Sequence, residues 1–298
     1  MTTRDETCAV LEARAGMYDT LAGLYFHSLS QEQIDAMAAA DYTELMNDDN
    51  PLIASGFNDI YRYLRKRNTG THQELSVDFS SCFLGTHTYK GLSGQPYESL
   101  FTDAGLRLNG APRGAVHRAY KAEGVALRTG YDYPDDHLAF ECEFMSVLCR
   151  RTIEALEADD EPEARRLLDV QRDFMSEHIC AWFRRLHDLA LKFVKTRFYR
   201  GVLDISQGFF DGEIETIDDL RWVLEEGFEE PEGTDDAADA EGAEGGEDAA
   251  DEGAEDDVAP EGAAGSVAGA AGASGVTGAV AAAEGVASGG ADAKSRAA

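Results

Sequence analysis

The stretch that decides the fold is residues 131–148, Y-D-Y-P-D-D-H-L-A-F-E-C-E-F-M-S-V-L. Its apolar residues recur every three or four positions, at Leu138, Cys142, Met145 and Cys149. That spacing is typical of one face of an α-helix. Pro134 has a fixed φ and no N–H, and Asp135 or Asp136 can cap a first turn. We therefore predict a helix over about residues 135–157.

His137 is the unusual residue at the start of this helix, because a helix N-terminus can be capped without a histidine. One interpretation makes Asp136 the cap and His137 a locally hydrogen-bonded surface residue. Another makes Asp136, His137 and Glu141 the ligands of a divalent metal in a helical-bundle enzyme, since positions 137 and 141 share a helix face. Adjacent ligands point in different directions on a helix, which disfavours the metal hypothesis.

The rest of residues 1–228 also has helical periodicity nearly throughout. Caps, breakers and apolar stripes predict further helices over residues 5–28, 31–46, from 51, from 71, 113–123, 162–177, 179–193, 198–210 and 217–226. Thr71 with Glu74 has the capping-box spacing, and Thr216 is a candidate cap for the last helix. No stretch alternates with the period of two typical of a strand. The sequence therefore predicts an all-α domain over residues 1–228, a single helical bundle.

The remaining residues, 229–298, differ sharply in composition. They hold 18 of the 57 acidic residues but only 2 of the 26 basic ones, and they contain no aromatic residue, leucine, isoleucine or methionine. Such a segment cannot bury enough apolar surface to offset its ordering entropy. We predict a disordered, acidic and Ala/Gly-rich tail.

Charge and cysteine usage restrict the class of protein. A net charge of −31 argues against nucleic acid as a partner and suits a basic peptide. The five cysteines are odd in number and show no C-x-x-C spacing, which favours a reducing cytoplasmic location. We expect no signal peptide and no membrane-spanning segment. Phosphate-loop, dinucleotide, zinc-protease and serine-hydrolase motifs are absent from the sequence, so we expect no cofactor.

A second informative stretch is residues 79–103, F-S-S-C-F-L-G-T-H-T-Y-K-G-L-S-G-Q-P-Y-E-S-L-F-T-D. Tyr89, Pro96, Tyr97 and Phe101 accompany a glycine-broken loop. Rigid aromatic residues and proline give contact area at low entropy cost, so one interpretation is an edge that grips a peptide. The other is an ordinary connection between helices whose aromatic side chains cap the core.

Together these two stretches resemble the TorD/DmsD family of redox-enzyme maturation chaperones. The P-Y-E-S-L-F of residues 96–101 is similar to the first family motif, P-[YW]-E-S-[VL]-[YF]. The Y-P-D-D-H-L of residues 133–138 is similar to the second, E-P-x-D-H-[LI], with Tyr133 where the family often has glutamate. Residues 198–211 resemble the final core helix of the family, and the resemblance spans about residues 10–212.

The resemblance implies a function and a site. Family members bind the twin-arginine leader of a molybdopterin oxidoreductase in the cytoplasm, hold the apoprotein until its cofactor is inserted, and prevent early export. They are chaperones rather than enzymes. The motifs place the peptide-binding residues at Tyr97, Glu98, Pro134, Asp136 and His137. Whether the chain acts as a monomer or a homodimer, and which reductase is the client, stays open.

Overall fold

The computed structural model describes residues 3–103, 108, 110–127 and 133–228. The α-helices are α1 Arg4–Phe26, α2 Gln31–Ala39, α3 Pro51–Leu64, α4 Thr71–Phe83, α5 Ser99–Thr102, α6 Ala111–Ala122, α7 Leu138–Glu157, α8 Glu161–Phe174, α9 Cys180–Ala190 and α10 Arg197–Glu226. Within these ranges there is no β-strand, only isolated bridges between Tyr89 and Leu92 and between Tyr97 and His137. The all-α prediction is confirmed. The tail, residues 229–298, and Tyr131 lie outside the described residues.

Two helix pairs have the most extensive packing among the described helices: α1 packs along α7, and α3 packs along α10. The second pair approaches closely because glycine faces glycine at the crossing. A Cβ on Gly201 would lie 2.5 Å from the carbonyl oxygen of Gly56, and a Cβ on Gly56 would lie 2.7 Å from that of Gly201. Neither position has room for a larger side chain, so the crossing depends on both glycines.

A buried polar network joins α1 to α8 and α10 inside this core. Nη2 of Arg14 lies 2.8 Å from Oε2 of Glu213, and Nη1 of Arg14 donates to Gln171 at 2.8 Å. The Tyr18 hydroxyl also donates to Glu213. Arg14 and Glu213 are 4% and 2% exposed, so each charge depends on the other for compensation.

Several predicted helix boundaries and caps are wrong. Helix α2 ends at Ala39 rather than near residue 46, and a 3₁₀ turn, Leu45–Asn47, follows. Thr71 does not form the predicted capping box: it is the first residue of α4, and its Oγ1 accepts from the amide of Asn68 at 2.9 Å. Thr216 caps nothing, since it lies inside α10 and its hydroxyl donates to the Gly212 carbonyl at 3.1 Å.

The predicted break near residue 178 is a change of helix type instead. Helix α8 continues through a π-helical turn, Met175–Ile179, directly into α9. A π turn inserts one residue into the helical register and re-aims the side chains that follow. His178 belongs to this turn and is buried, which places it in the candidate site.

The five cysteines are free thiols, which agrees with the prediction that the chain has no disulfide framework. Cys142 and Cys149 are fully buried on α7, where they pack as small apolar side chains. Among the described helices, none combines the length and the apolar character needed to cross a membrane.

Candidate functional site

The two sequence motifs meet in space. The amide of Glu98 donates to the Asp136 carbonyl, and the amide of Leu138 donates to the Pro96 carbonyl, each at 2.9 Å. The two segments therefore pair as a short antiparallel bridge centred on Tyr97 and His137. We call residues 96–101 together with residues 133–138 the junction.

His137 is the N-cap of α7. Its backbone is extended, with φ −80° and ψ 133°, and its Nδ1 accepts a hydrogen bond from the amide of Ala139 at 3.1 Å. The predicted caps, Asp135 and Asp136, do not perform this role, and the helix begins three residues later than predicted. Burial, with a smaller contribution from His27, lowers the pKa of His137 to about 3. The imidazole is thus neutral, as the cap requires, with its proton on Nε2.

Asp135 and Asp136 hold different elements. The Asp136 carboxylate turns inward and accepts from the amide of Ser99 at 2.9 Å, at the start of α5. Asp135 turns toward α6, where it lies 2.9 Å from Nε of Arg113, and its carbonyl accepts from the Tyr120 hydroxyl at 3.2 Å. The pair of aspartates therefore fixes the entry to α7 between two neighbouring helices.

A cluster of buried carboxyl groups lies beneath the junction. Oε2 of Glu98 is 2.8 Å from Nδ1 of His178, and Oε2 of Glu141 accepts from the Trp182 indole at 3.3 Å. Burial, followed by the carboxylates of Glu98 and Asp136, raises the pKa of Glu141 well above its ordinary value. Glu141 therefore keeps its proton, and as a neutral acid it can donate to Glu98.

The exposed part of the site is aromatic. Tyr133 is 42% exposed and packs edge-on against Phe26 of α1 at a centroid distance of 5.5 Å. His137 lies behind them, 5.9 Å from Phe26 and 4.8 Å from Tyr97. Pro134 and Phe26 are partly exposed. We call Phe26, Tyr133 and Pro134 the aromatic rim.

The predicted site residues lie together, but mostly below the surface. Tyr97, Glu98, Asp136 and His137 are each less than 7% exposed, and Pro134 is partly exposed. The interpretation of His137 as a surface residue is wrong, because its ring packs among aromatic side chains and its Nδ1 is used by the helix.

The positions of Asp136, His137 and Glu141 disfavour the hypothesis that they bind a metal. The described part of the chain contains no group of three or more His, Cys, Asp or Glu side chains placed to hold a metal ion. Asp136 is engaged with Ser99, His137 with Ala139 and Glu141 with Trp182. These three side chains stabilise three different elements and do not form a ligand set.

The aromatic residues of the second stretch mostly serve the core. Phe101 stacks on Trp182 with a centroid distance of 5.5 Å and an interplanar angle of 21°. Pro96 and Tyr97 are buried in the junction. Tyr89 is 43% exposed, and the amine of Lys192 lies 4.7 Å from its ring centre. Of the two interpretations of this loop, the structure favours the connection that caps the core.

Sequence reasoning missed two contributors, His178 and Phe26. His178 contacts Glu98 from within the π turn, and a one-residue insertion leaves no mark in an apolar stripe. Phe26 lies 107 residues before Tyr133 and meets it through the packing of α1 on α7. The unusually aromatic end of α1, L-Y-F-H, was the available signal.

An apolar cavity of about 90 Å³ lies elsewhere, between α1, α2, α3 and α10. Its lining includes Leu21, Leu24, Met37, Phe57 and Ile205. Pockets that bury small molecules usually measure about 300–1,000 Å³. This cavity holds a side chain at most, so the junction remains the better candidate site.

Comparison with known proteins agrees with this arrangement. A family model described as the nitrate reductase delta subunit matches residues 48–188, which includes the junction and the carboxyl cluster. Proteins named Chaperone protein TorD match most of the described body. The chain is similar to the TorD family of chaperones.

The TorD relatives are distant but nearly complete matches. The protein from Vibrio cholerae serotype O1 is 27% identical over 213 residues, which cover 70% of this chain and 94% of the relative. The protein from Aliivibrio salmonicida is 25% identical over 217 residues, or 72% of this chain and 98% of the relative. Both relatives are named as chaperones rather than as enzymes.

Proposed function

We propose that this TorD-like protein binds the twin-arginine leader of a molybdopterin oxidoreductase in the cytoplasm and holds the apoprotein until its cofactor is inserted, without catalysing a reaction. The observation that carries the proposal is the junction itself, where an exposed aromatic rim lies directly over buried carboxyl groups. A leader of this class has a basic start followed by an apolar middle. The two layers of the site suit those two parts.

The aromatic rim would take the apolar part of the leader. Tyr133 and Phe26 offer rigid rings whose burial costs little side-chain entropy, and Pro134 fixes the chain beside them. Tyr97 and His137 back these rings from inside the protein, so the rim is already in place before a peptide arrives.

The carboxyl groups of Glu98 and Asp136 would favour the basic start of the leader. Within the described residues, Oδ1 of Asp136 has no hydrogen-bond partner, although the residue is fully buried. An acceptor left unpaired in this way costs stability. We propose that it accepts from a guanidinium of the bound leader.

Calorimetric titration of a synthetic leader into the full chain tests the proposal. Tyr133→Ala removes an exposed ring of the rim and should raise Kd about tenfold, which corresponds to about 1.4 kcal/mol. Trp222→Ala is the matched control, because Trp222 is 56% exposed but lies on α10 outside the junction. If wild type binds no leader, or if the Tyr133 variant binds as tightly as wild type, the proposal is wrong.

Variants of the buried residues give a second reading. Asp136→Ala and His137→Ala should each weaken leader binding by about 1–3 kcal/mol in protein that circular dichroism shows to be folded. Because Asp136 is fully buried, its effect on leader binding should change little with added salt. A leader whose two arginines are lysines should bind more weakly, because a lysine amine cannot reproduce the guanidinium fork.

A further inference from the structure

A basic cleft lies at the C-terminal end of α3, against the first residue of α10. It is open to solvent and has a volume of about 750 Å³. Its lining includes one acidic residue, Glu74, whose carboxylate accepts from the Tyr63 hydroxyl at 2.6 Å, and four basic residues, Arg62, Arg65, Lys66 and Arg197. The segment that supplies it reads Y-R-Y-L-R-K-R over residues 61–67. In a chain with a net charge of −31 this concentration of positive charge calls for an explanation.

Three of these charges have no acidic partner within the described residues. Arg62, Arg65 and Lys66 are exposed and form no salt bridge to any carboxylate in that part of the chain. Arg197, by contrast, lies 3.1 Å from Asp59. The negative end of the α3 dipole amounts to about half a charge, so it does not account for three cations. The cleft therefore has positive charge available for an anionic partner.

The chain carries a matching acidic segment. Residues 235–261 contain 13 aspartates and glutamates and no lysine or arginine. Within them, residues 251–257, D-E-G-A-E-D-D, place five carboxyl groups in seven positions. The cleft would repel a basic leader. The cleft therefore suits an acidic partner, whereas the junction suits a basic one.

The tail is long enough to reach the cleft. The described residues end at Phe228, whose ring centre lies 5.3 Å from the guanidinium carbon of Arg4. The cleft is at the other end of α10, a helix of 30 residues and hence about 45 Å long. Twenty-two residues lie between Phe228 and Asp251, and the chain between the two can span up to about 80 Å. The acids nearest the body, such as Asp235, are too close to Phe228 to arrive there.

We propose that residues 251–257 dock in the basic cleft of the same molecule. The contact is driven by charge, so it needs none of the apolar anchors that the tail lacks, and it weakens with salt. Because the tether keeps the acidic segment close to the cleft, docking occurs at any protein concentration. The docked tail occupies the basic cleft and keeps other acidic segments from it.

Carbodiimide cross-linking of the full chain tests the docking, because it joins a lysine amine to a carboxylate in contact with it. Lys66 is the reporter in the cleft, and Lys121, exposed on α6, is the control lysine. At low salt, cross-links from Lys66 to residues 251–257 should exceed those from Lys121 at least about threefold. In 0.5 M NaCl the excess should disappear, because the screening length falls to about 4 Å.

Charge variants separate docking from chance encounters. Arg62→Gln with Arg65→Gln keeps Lys66 but removes two of the positive charges in the cleft, so the Lys66 yield should fall about twofold or more. Arg118→Gln with Arg184→Gln makes the same charge change at exposed sites elsewhere and should leave the yield unchanged. Equal yields from Lys66 and Lys121, or no effect of the cleft variant, would overturn the proposal. So would cross-links that form mainly between ¹⁴N- and ¹⁵N-labelled copies in a mixed sample, since the occupant would then be another molecule.

Discussion

Replacing His137 with asparagine should remove a specific part of the pH dependence of stability. Asparagine can cap a helix as His137 does, but it does not titrate. The histidine pKa is about 3 in the folded protein and about 6.5 when unfolded. Because the pKa is lower in the folded state, His137 becomes protonated in the unfolded state as the pH falls below 6.5 but stays neutral in the folded state. Stability contributed by His137 is therefore present above pH 6.5 and lost progressively down to pH 3.

The size of the effect follows from the two pKa values. A pH of 5 lies 1.5 units below the pKa of the unfolded histidine, so the unfolded state is protonated there while the folded histidine is still neutral. The free energy of unfolding of wild type is therefore about 2 kcal/mol lower at pH 5 than at pH 8 from this group alone. The His137→Asn variant lacks this loss. All other titrating groups are common to both proteins and cancel in the comparison, and at pH 8 the two side chains are both neutral.

Urea unfolding followed by circular dichroism at pH 8 and pH 5 measures the difference. The drop in the free energy of unfolding between the two pH values should be about 2 kcal/mol larger for wild type than for the variant. Equal drops would show that His137 titrates alike in both states. The burial of its ring and its role as the N-cap would then both be wrong.

Further predictions concern packing and buried charge. Gly201→Ala should destabilise the protein by about 1–3 kcal/mol in thermal melts, because its Cβ would meet the Gly56 carbonyl. Gly212→Ala on the same helix is the control: its Cβ would meet nothing within 4 Å, so it should stabilise the protein by about 0.5–1 kcal/mol. Equal melting temperatures for the two would contradict the helix crossing. Arg14→Ala should cost about 3–5 kcal/mol in urea unfolding, because it leaves a buried carboxylate uncompensated, and a loss below 1 kcal/mol would argue against the network. Glu141→Gln should raise the free energy of unfolding at pH 7.5, because the wild-type acid stays protonated when folded but ionises when unfolded at that pH. The gain should disappear toward pH 4.5, where the unfolded acid also keeps its proton. An unchanged or lowered stability at pH 7.5 counts against a neutral Glu141.

The sequence predicted the helical class and most helix positions because apolar periodicity is a local signal. The stripe of α7 and the proline at the start of α3 are readable from a few residues each. The error at Thr216 is instructive. A cap residue was present, but the apolar stripe through Ile217, Leu220 and Leu224 continues the face of the preceding turns and keeps α10 unbroken.

The interior of the candidate site could not be predicted in the same way. Whether Asp136 or His137 caps α7 depends on the bridge to Pro96 and Glu98, which lie about 40 residues earlier in the chain. The hydrogen bonds of that bridge turn Asp136 toward α5 and leave His137 at the helix end. The burial of the family motif residues likewise results from tertiary packing. Their sequence pattern therefore indicated which residues form the site but not how far each is exposed to solvent.

Photo-cross-linking of a leader peptide tests the central claim most directly. A twin-arginine leader with benzoyl-phenylalanine in its apolar middle would be irradiated with the full chain, and the attachment points mapped by mass spectrometry. We expect cross-links at Phe26, Tyr133 and Pro134, and their loss when unlabelled leader is added in excess. Cross-links that fall instead at the apolar cavity, on Leu24 or Met37, or on the basic cleft, would contradict the assignment of the junction as the leader-binding site.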